Sequence, residues 1–400
     1  MKVLASGFIH DSRTAPFHQR SCARTTVTLL HDGTLLATCR LGSDRESLDG
    51  HEAVFASADS GATWTMRYHG YNRGAWGDTP GEVKAFTIAE LEPGVLTATG
   101  LWTDRSRPDC PFIHPETQGL LPMRVFHTTS TDGGYTWGPR QWMDTSPHPG
   151  ASCTTQALYQ LPEGTLAQPY EHWKEYDDPA PAHPGAWFRL SHDGGQTWPE
   201  YLPVATHPGN TLYYWDQRLA RHPETGQWVA LFWTHEPDTG LDRDVHIACG
   251  APDARSWTTP VGTGLPGQHC QPVPLGGDFL LAVYAQRGNP PGIAASLSAD
   301  FGRSWDRSQD IMVYDSTAGV EHGAAGSRSQ KDKWNDMIAW RFGHPRGLLL
   351  PSGEALIVYY AGDDQYKSAC WARIGAFGLW RETKDLNHRT SRTRSKRSGF

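Results

Sequence analysis

No stretch of this 400-residue chain contains the roughly 18 consecutive apolar residues that a membrane-spanning helix needs. The opening M-K-V-L-A-S-G-F-I-H also lacks the apolar core of a secretion signal, so the chain reads as soluble and cytoplasmic. There is no C-x-x-C pair. The seven cysteines, Cys22, Cys39, Cys110, Cys153, Cys249, Cys270 and Cys370, are an odd number, which favours reduced buried thiols over a disulfide framework or a zinc site. Glycine-rich phosphate cradles are missing too. The acidic, histidine-containing run at 235–246 has neither EF-hand nor H-E-x-x-H spacing, so no metal and no other cofactor is expected. A net charge of −7 provides no basic face for nucleic acid. Long amphipathic helical periodicity is absent as well, which leaves an all-β chain.

What the chain does have is tryptophan, glycine and a repeated turn. Its 17 Trp and 42 Gly suit hairpins wedged together by large apolar plates. The turn reads S-A-D-S-G-A-T-W at 57–64, S-T-D-G-G-Y-T-W at 130–137, S-H-D-G-G-Q-T-W at 191–198 and S-A-D-F-G-R-S-W at 298–305. A worn fifth copy, C-G-A-P-D-A-R-S-W, spans 249–257. Ser and Asp side chains bond turn backbone, Gly permits a positive φ, and the Trp pins the hairpin to a neighbouring sheet. These boxes resemble the Asp-box repeats of the sialidase superfamily, whose members are six-bladed β-propellers, and the resemblance covers most of the chain.

Six repeat units can be read, at about 24–64, 84–137, 154–198, 211–257, 269–305 and 344–379, followed by a basic tail at 381–400 that reads as disordered. Each unit opens with two apolar runs around a tight turn such as H-D-G at 31–33 or P-S-G at 351–353. Four-stranded blades would put these turns and the boxes on one face. The long, chemically loaded loops, and the 306–344 link, would share the other face, which is therefore the expected site.

Inner-strand starts on that face carry the candidates. Arg24, in C-A-R-T-T-V-T-L-L-H-D-G-T-L-L-A, resembles the sialidase arginine that opens a triad gripping the substrate carboxylate. Arg287 and Arg346 are the next choices for the triad, with Arg218 and Arg243 competing. The following loop, R-L-G-S-D-R-E-S-L-D-G-H at 40–51, resembles the general-acid loop of the family. The resemblance makes Asp49 the acid, with Asp44 second, and puts Arg40 and His51 beside the substrate. Sialidases use a Tyr nucleophile activated by a Glu. Here Gln271 stands where that Glu is expected and His344 stands in the neighbourhood of the Tyr. Tyr284, or Tyr214 beside Asp216 and Arg218, remains a candidate, with Glu171 or Glu236 as partner. The resemblance implies a glycoside hydrolase acting on a terminal carboxylate-bearing sugar, with a carbohydrate as its partner molecule. A polysaccharide lyase with a His51, His344 or Tyr284 base is a second reading, and a non-catalytic carbohydrate-binding propeller a third.

Overall fold

The computed structural model describes residues 1–70, 74–148, 152–153, 156–316, 337 and 339–375; the basic tail lies outside them. The described residues form strands, with two 3-10 turns, Ser12–Thr14 and Phe17–Gln19, before the second strand, and helical backbone at Met337 and Ala339. Among the described residues no helix is long and apolar enough to cross a membrane. Cys22, Cys39, Cys110, Cys249, Cys270 and Cys370 are free thiols.

The strands make a propeller-like array of sequential antiparallel sheets. One four-stranded sheet runs Gly81–Glu92, Val95–Asp104, Met123–Ser130, Gln141–Trp142, and another runs Gln268–Gly276, Phe279–Gln286, Gly292–Ser298, Asp306–Asp315. Two five-stranded sheets are built on the Leu166–His172 and Gly185–Ser191 pair and on the Tyr213–Arg221 and Trp228–Glu236 pair. The count of separate sheets differs from the six expected. The first and last repeat units are joined into one eight-stranded sheet through a single parallel pair, Ser21↔Lys367. The N-terminal strand Lys2–His10, which was not anticipated, pairs antiparallel with Lys367–Gly375 and covers the last unit's outer edge. The first described strand is thereby tied to the last.

The repeated turns share one hydrogen-bond network. The box serine hydroxyl donates to the Asp at 2.7 Å in Ser57–Asp59 and at 2.8 Å in Ser130–Asp132, Ser191–Asp193 and Ser298–Asp300. The Thr or Ser before the Trp donates to the same carboxylate at 2.5–2.6 Å. The glycines adopt φ of 84°, 90°, 90° and 92° and donate their N–H to the box serine. In the worn copy Ala254 takes the glycine's left-handed place at φ 59°, and Trp257 still donates to its carbonyl at 2.9 Å. Replacing Asp300 by Ala is expected to lower stability by about 1–2 kcal/mol through the lost turn bonds while leaving turnover of the folded protein unchanged. Denaturant titration alongside activity of the folded fraction tests this, and abolished turnover at full folding would contradict it.

Candidate active site

The inner strands share a distortion that aims side chains at the axis. Register shifts fall between Ala23 and Thr26, Val83 and Ala85, Trp215 and Arg218, Gln268 and Gln271, and Gly343 and Arg346. Each is a β-bulge, in which an extra residue leaves the ladder and re-aims its side chain. Four bulge residues adopt left-handed backbone, Arg24 at φ 55°, Asp216 at 50°, His269 at 50° and His344 at 48°. Such a conformation costs a non-glycine residue about 1–2 kcal/mol. The same strain recurring in four units marks a site. Those four side chains and the bulged Lys84 line one axial cavity of about 130 Å³. Arg45, Glu171 and His172 complete its polar wall, and Phe112, Trp173, Trp215 and Trp233 form its aromatic wall.

One half of the site is a buried charge cluster. Glu46 pairs with Arg24 at 3.3 Å, with Arg45 at 3.5 Å and with Lys84. Glu82 receives Arg40 at 2.6 Å, Lys84 at 2.9 Å and Arg105. Burial pushes both carboxyls up, but the surrounding cations outweigh it, holding Glu82 down at about 2 and Glu46 well below its ordinary range. Burial also lowers Lys84 to about 8, against the pull of the two glutamates. Five cations share two carboxylates, and even with Asp49 in the field of Arg40 a positive surplus remains. The Arg24 Nη1 is buried with no hydrogen-bond partner.

The other half holds carboxyls and imidazoles. Glu171 accepts the backbone N–H of Asp216 at 2.9 Å and of Gln217 at 2.5 Å. Burial, reinforced by the neighbouring Asp216 charge, raises its carboxyl to about 8 despite those two donors. Asp216 accepts Arg218 Nε at 3.0 Å and Nη2 at 2.7 Å. His269 Nε2 lies 3.8 Å from Asp216, and the His269 and His344 rings are 4.1 Å apart. Burial holds His269 down at about 3 and His344 well below its ordinary range, so both imidazoles are neutral near pH 7. Asp216, His269 and His344 bring donor atoms within 4.8 Å of one another, a spacing open to a metal ion. The Arg218 guanidinium bonds Asp216 and lies 3.3 Å from His344 Nδ1, so a cation there would have to displace it.

Of the residues expected from sequence, the structure brings Arg24, Glu171, Asp216 and His344 together at the cavity. The others have these surroundings. Asp49 spends its carboxylate on the N–H and hydroxyl of Ser43, at 3.0 and 3.1 Å, as a cap within its own loop. Asp44 is exposed and caps Arg45 N. Arg40 is buried against Glu82 and the carbonyls of Asp44 and Ser47, which makes it the anchor of that loop. His51 sits 3.1 Å from the Asp49 carbonyl. Arg287 lies over the Trp340 ring at 3.9 Å and donates to the Phe342 carbonyl. Arg346 donates to Gln271 at 2.7 Å, and Gln271 in turn donates to the Pro272 carbonyl. Tyr284 is fully buried within its sheet, 3.1 Å from Ser296. None of these lines the cavity.

Sequence reasoning missed Arg45, Lys84 and His269 as cavity residues. Lys84 in G-E-V-K-A-F and His269 in G-Q-H-C-Q-P were visible at inner-strand starts, the position already used to choose Arg24. Much of the 306–344 link lies outside the described residues, although Met337 lines the cavity.

Solved structures with this architecture include an unknown-function protein from Dyadobacter fermentans, 17% identical over 94% of this chain and 99% of the other, at a TM-score of 0.67. The sialidase of Trypanosoma rangeli, in complex with 2,3-difluorosialic acid as a covalent intermediate, is 14% identical at a TM-score of 0.62, covering 97% of this chain and 61% of its own. The fold is that of a sialidase-like propeller. The intramolecular trans-sialidase of Ruminococcus gnavus, in complex with oseltamivir carboxylate, matches at 12% identity and a TM-score of 0.57, covering 94% and 98% of the two chains. No protein-family model matches the sequence, and no curated protein matches it in sequence.

Proposed function

We propose that this sialidase-like propeller is an exo-acting glycosidase for a terminal carboxylate-bearing sugar. The observation that carries it is the positive surplus around Arg24, Arg45 and Lys84, with an unpartnered buried guanidinium nitrogen, in the same cavity as Glu171. An unneutralised buried cation favours an anionic ligand, and a guanidinium fork matches a carboxylate. Glu171, protonated at neutral pH, is the proton donor to the leaving oxygen, and the Asp216 carboxylate faces the positive charge that develops on the sugar. Tyrosine is absent from the described cavity lining, so this reading rests the chemistry on carboxyls. We also read the box turns as Asp boxes and the eight-stranded sheet as two blades joined at Ser21↔Lys367, which makes six blades.

A second reading, a lyase, is favoured by His269 and His344, neutral imidazoles beside a cationic clamp and suited to removing a proton next to a neutralised carboxylate. A screen of aryl sialosides, aryl uronides, neutral aryl glycosides and a 4-linked oligogalacturonate separates the readings, the last because it alone offers both a proton next to the carboxylate and a glycosidic leaving group on the adjacent carbon. Release of the aryl group from acidic substrates alone supports the hydrolase, and an unsaturated product absorbing in the ultraviolet supports the lyase. Turnover of neutral substrates only would sink both.

Arg24→Lys keeps the charge and loses the fork. It is expected to lower kcat/KM on the acidic substrate about ten- to hundredfold, since each bidentate contact contributes about 1.5–3 kcal/mol. An unchanged kcat/KM would remove Arg24 from the clamp.

A further inference from the structure

A second concavity adjoins the axial cavity, and Leu120 and Met123 line both. It is a groove of about 960 Å³, against about 130 Å³ for the cavity, and none of its other walls is shared with the cavity. The small cavity suits one terminal ring, whereas the groove is at the upper end of the ~300–1,000 Å³ typical of ligand sites. Its walls come from the stretch 142–145 and from two loops, one before the Met123–Ser130 strand and one after the Leu166–His172 strand. Those loops are locked together. Leu120 N–H donates to the Lys174 carbonyl at 3.4 Å, Leu120 and Glu175 form a parallel bridge, and a Cβ on Gly119 would overlap the Glu175 carbonyl. The groove is therefore a preformed surface.

Its chemistry is the reverse of the cavity's. Asp144, Glu175, Asp177 and Asp178 face only Arg107 and Arg124 among the groove's lining residues, and Arg107 is already paired with Asp177 at 2.9 Å. Outside the lining, Asp144 has Arg189 at 3.9 Å and Asp178 has the charge of Lys174 nearby. Trp142 and Tyr176 add aromatic surface and Thr145 a hydroxyl. Aromatic plates among hydrogen-bonding groups suit the apolar faces and hydroxyls of sugars. Among the lining residues the acids outnumber the cations four to two, so a second carboxylate would meet more carboxylates than cations at the groove surface.

We propose that this groove seats the leaving-group part of the substrate, an uncharged oligosaccharide whose single acidic sugar enters the axial cavity. The proposal rests on the glycosidase reading for the direction of the chain. It narrows the substrate class, because a polyuronate would carry carboxylates into the acidic groove.

The test is binding alone, by titration calorimetry of the full chain with uncharged tetrasaccharides (chitotetraose, cellotetraose, mannotetraose) and with tetragalacturonate. The same titrations are run on the triple variant Asp144→Asn, Glu175→Gln, Asp178→Asn. The Asn replacements keep the turn bonds to Ser146 N and Ala180 N that these carboxylates accept. At least one uncharged chain should bind the wild type about tenfold or more tightly than tetragalacturonate, and the variant should reduce the gap to about threefold or less. Equal or tighter binding of tetragalacturonate by the wild type, an unchanged gap in the variant, or no binding of any uncharged chain would overturn the assignment. Cleavage is not read here, so such a failure strikes the groove, whereas failure of the aryl-glycoside screen strikes the glycosidase reading.

Discussion

Glu82→Gln is expected to destabilise the fold by about 3–5 kcal/mol, because it removes the one carboxylate shared by Arg40, Lys84 and Arg105. Breaking a buried ion network from one side leaves uncompensated charge: Arg40 and Arg105 lose their paired carboxylate here, and Lys84 is left to Glu46 alone. Glu82, Arg40 and Lys84 side chains are fully buried, so water cannot take over the lost role. That loss is a large part of the ~5–15 kcal/mol by which a domain is stable. Urea titration at pH 7 measures it, and a shift below about 1 kcal/mol would mean that Arg40 and Lys84 are held by their remaining partners.

The same carboxylate predicts an acid limb. Its folded value of about 2 lies below the ordinary 4.5, so its contribution is fully present above 4.5 and is lost as pH falls toward 2. That difference corresponds to about 3 kcal/mol. Wild-type stability should fall through this window, and the Gln variant should lose much of that slope.

How much of this was readable from the residues depended on how local each cause was. The box turns close within eight residues, so Ser130, Asp132, Gly134 and Trp137 announce their own geometry. The Lys2–His10 strand does not, because its partner, Lys367–Gly375, is more than 350 residues away and the edge it covers exists only once the last unit has folded. The loop at 43–50 presents Asp44, Arg45, Glu46 and Asp49 in close succession. Which of them turns inward is decided by Glu82, contributed by another sheet. Glu82 draws in Arg40, whose guanidinium then bonds the carbonyls of Asp44 and Ser47. Asp49 is consumed in capping Ser43, and Arg45 and Glu46 are left for the interior. The surroundings of Arg287 were illegible for a similar reason, since the Trp340 ring it lies over belongs to a distant link. Arg24, Asp216 and His344 could be found because bulges at inner-strand starts recur in nearly every unit. The recurrence argues that the site is written in the repeat and the loops only modify it.

Glu171→Gln is expected to lower kcat by about 10²–10⁴-fold on substrates with poor leaving groups, the range that a positioned proton donor supplies. Substrates with strongly activated aryl leaving groups need little protonation and should lose much less. The pH dependence carries the sign. Glu171 is raised from 4.5 to about 8, first by burial and then by Asp216, so the protonated form persists through neutrality and wild-type turnover should decline as pH rises through about 8. In the Gln variant the residual kcat should be flat across that range, whereas KM still rises as Lys84, lowered to about 8, loses its charge. The stability signature runs opposite to that of Glu82. Below 4.5 the group is protonated in both states and contributes nothing, and as pH rises from 4.5 to about 8 the unfolded chain ionises while the folded one does not, which erodes stability. Steady-state rates on matched poor and good leaving groups between pH 5 and pH 9.5, in roughly half-unit steps, read the catalytic effect directly. An alkaline limb in kcat that survives in the Gln variant, or an equal loss on both leaving groups, would take the proton-donor role away from Glu171, and such a limb would point to Lys84, which lines the same cavity and is lowered to about 8.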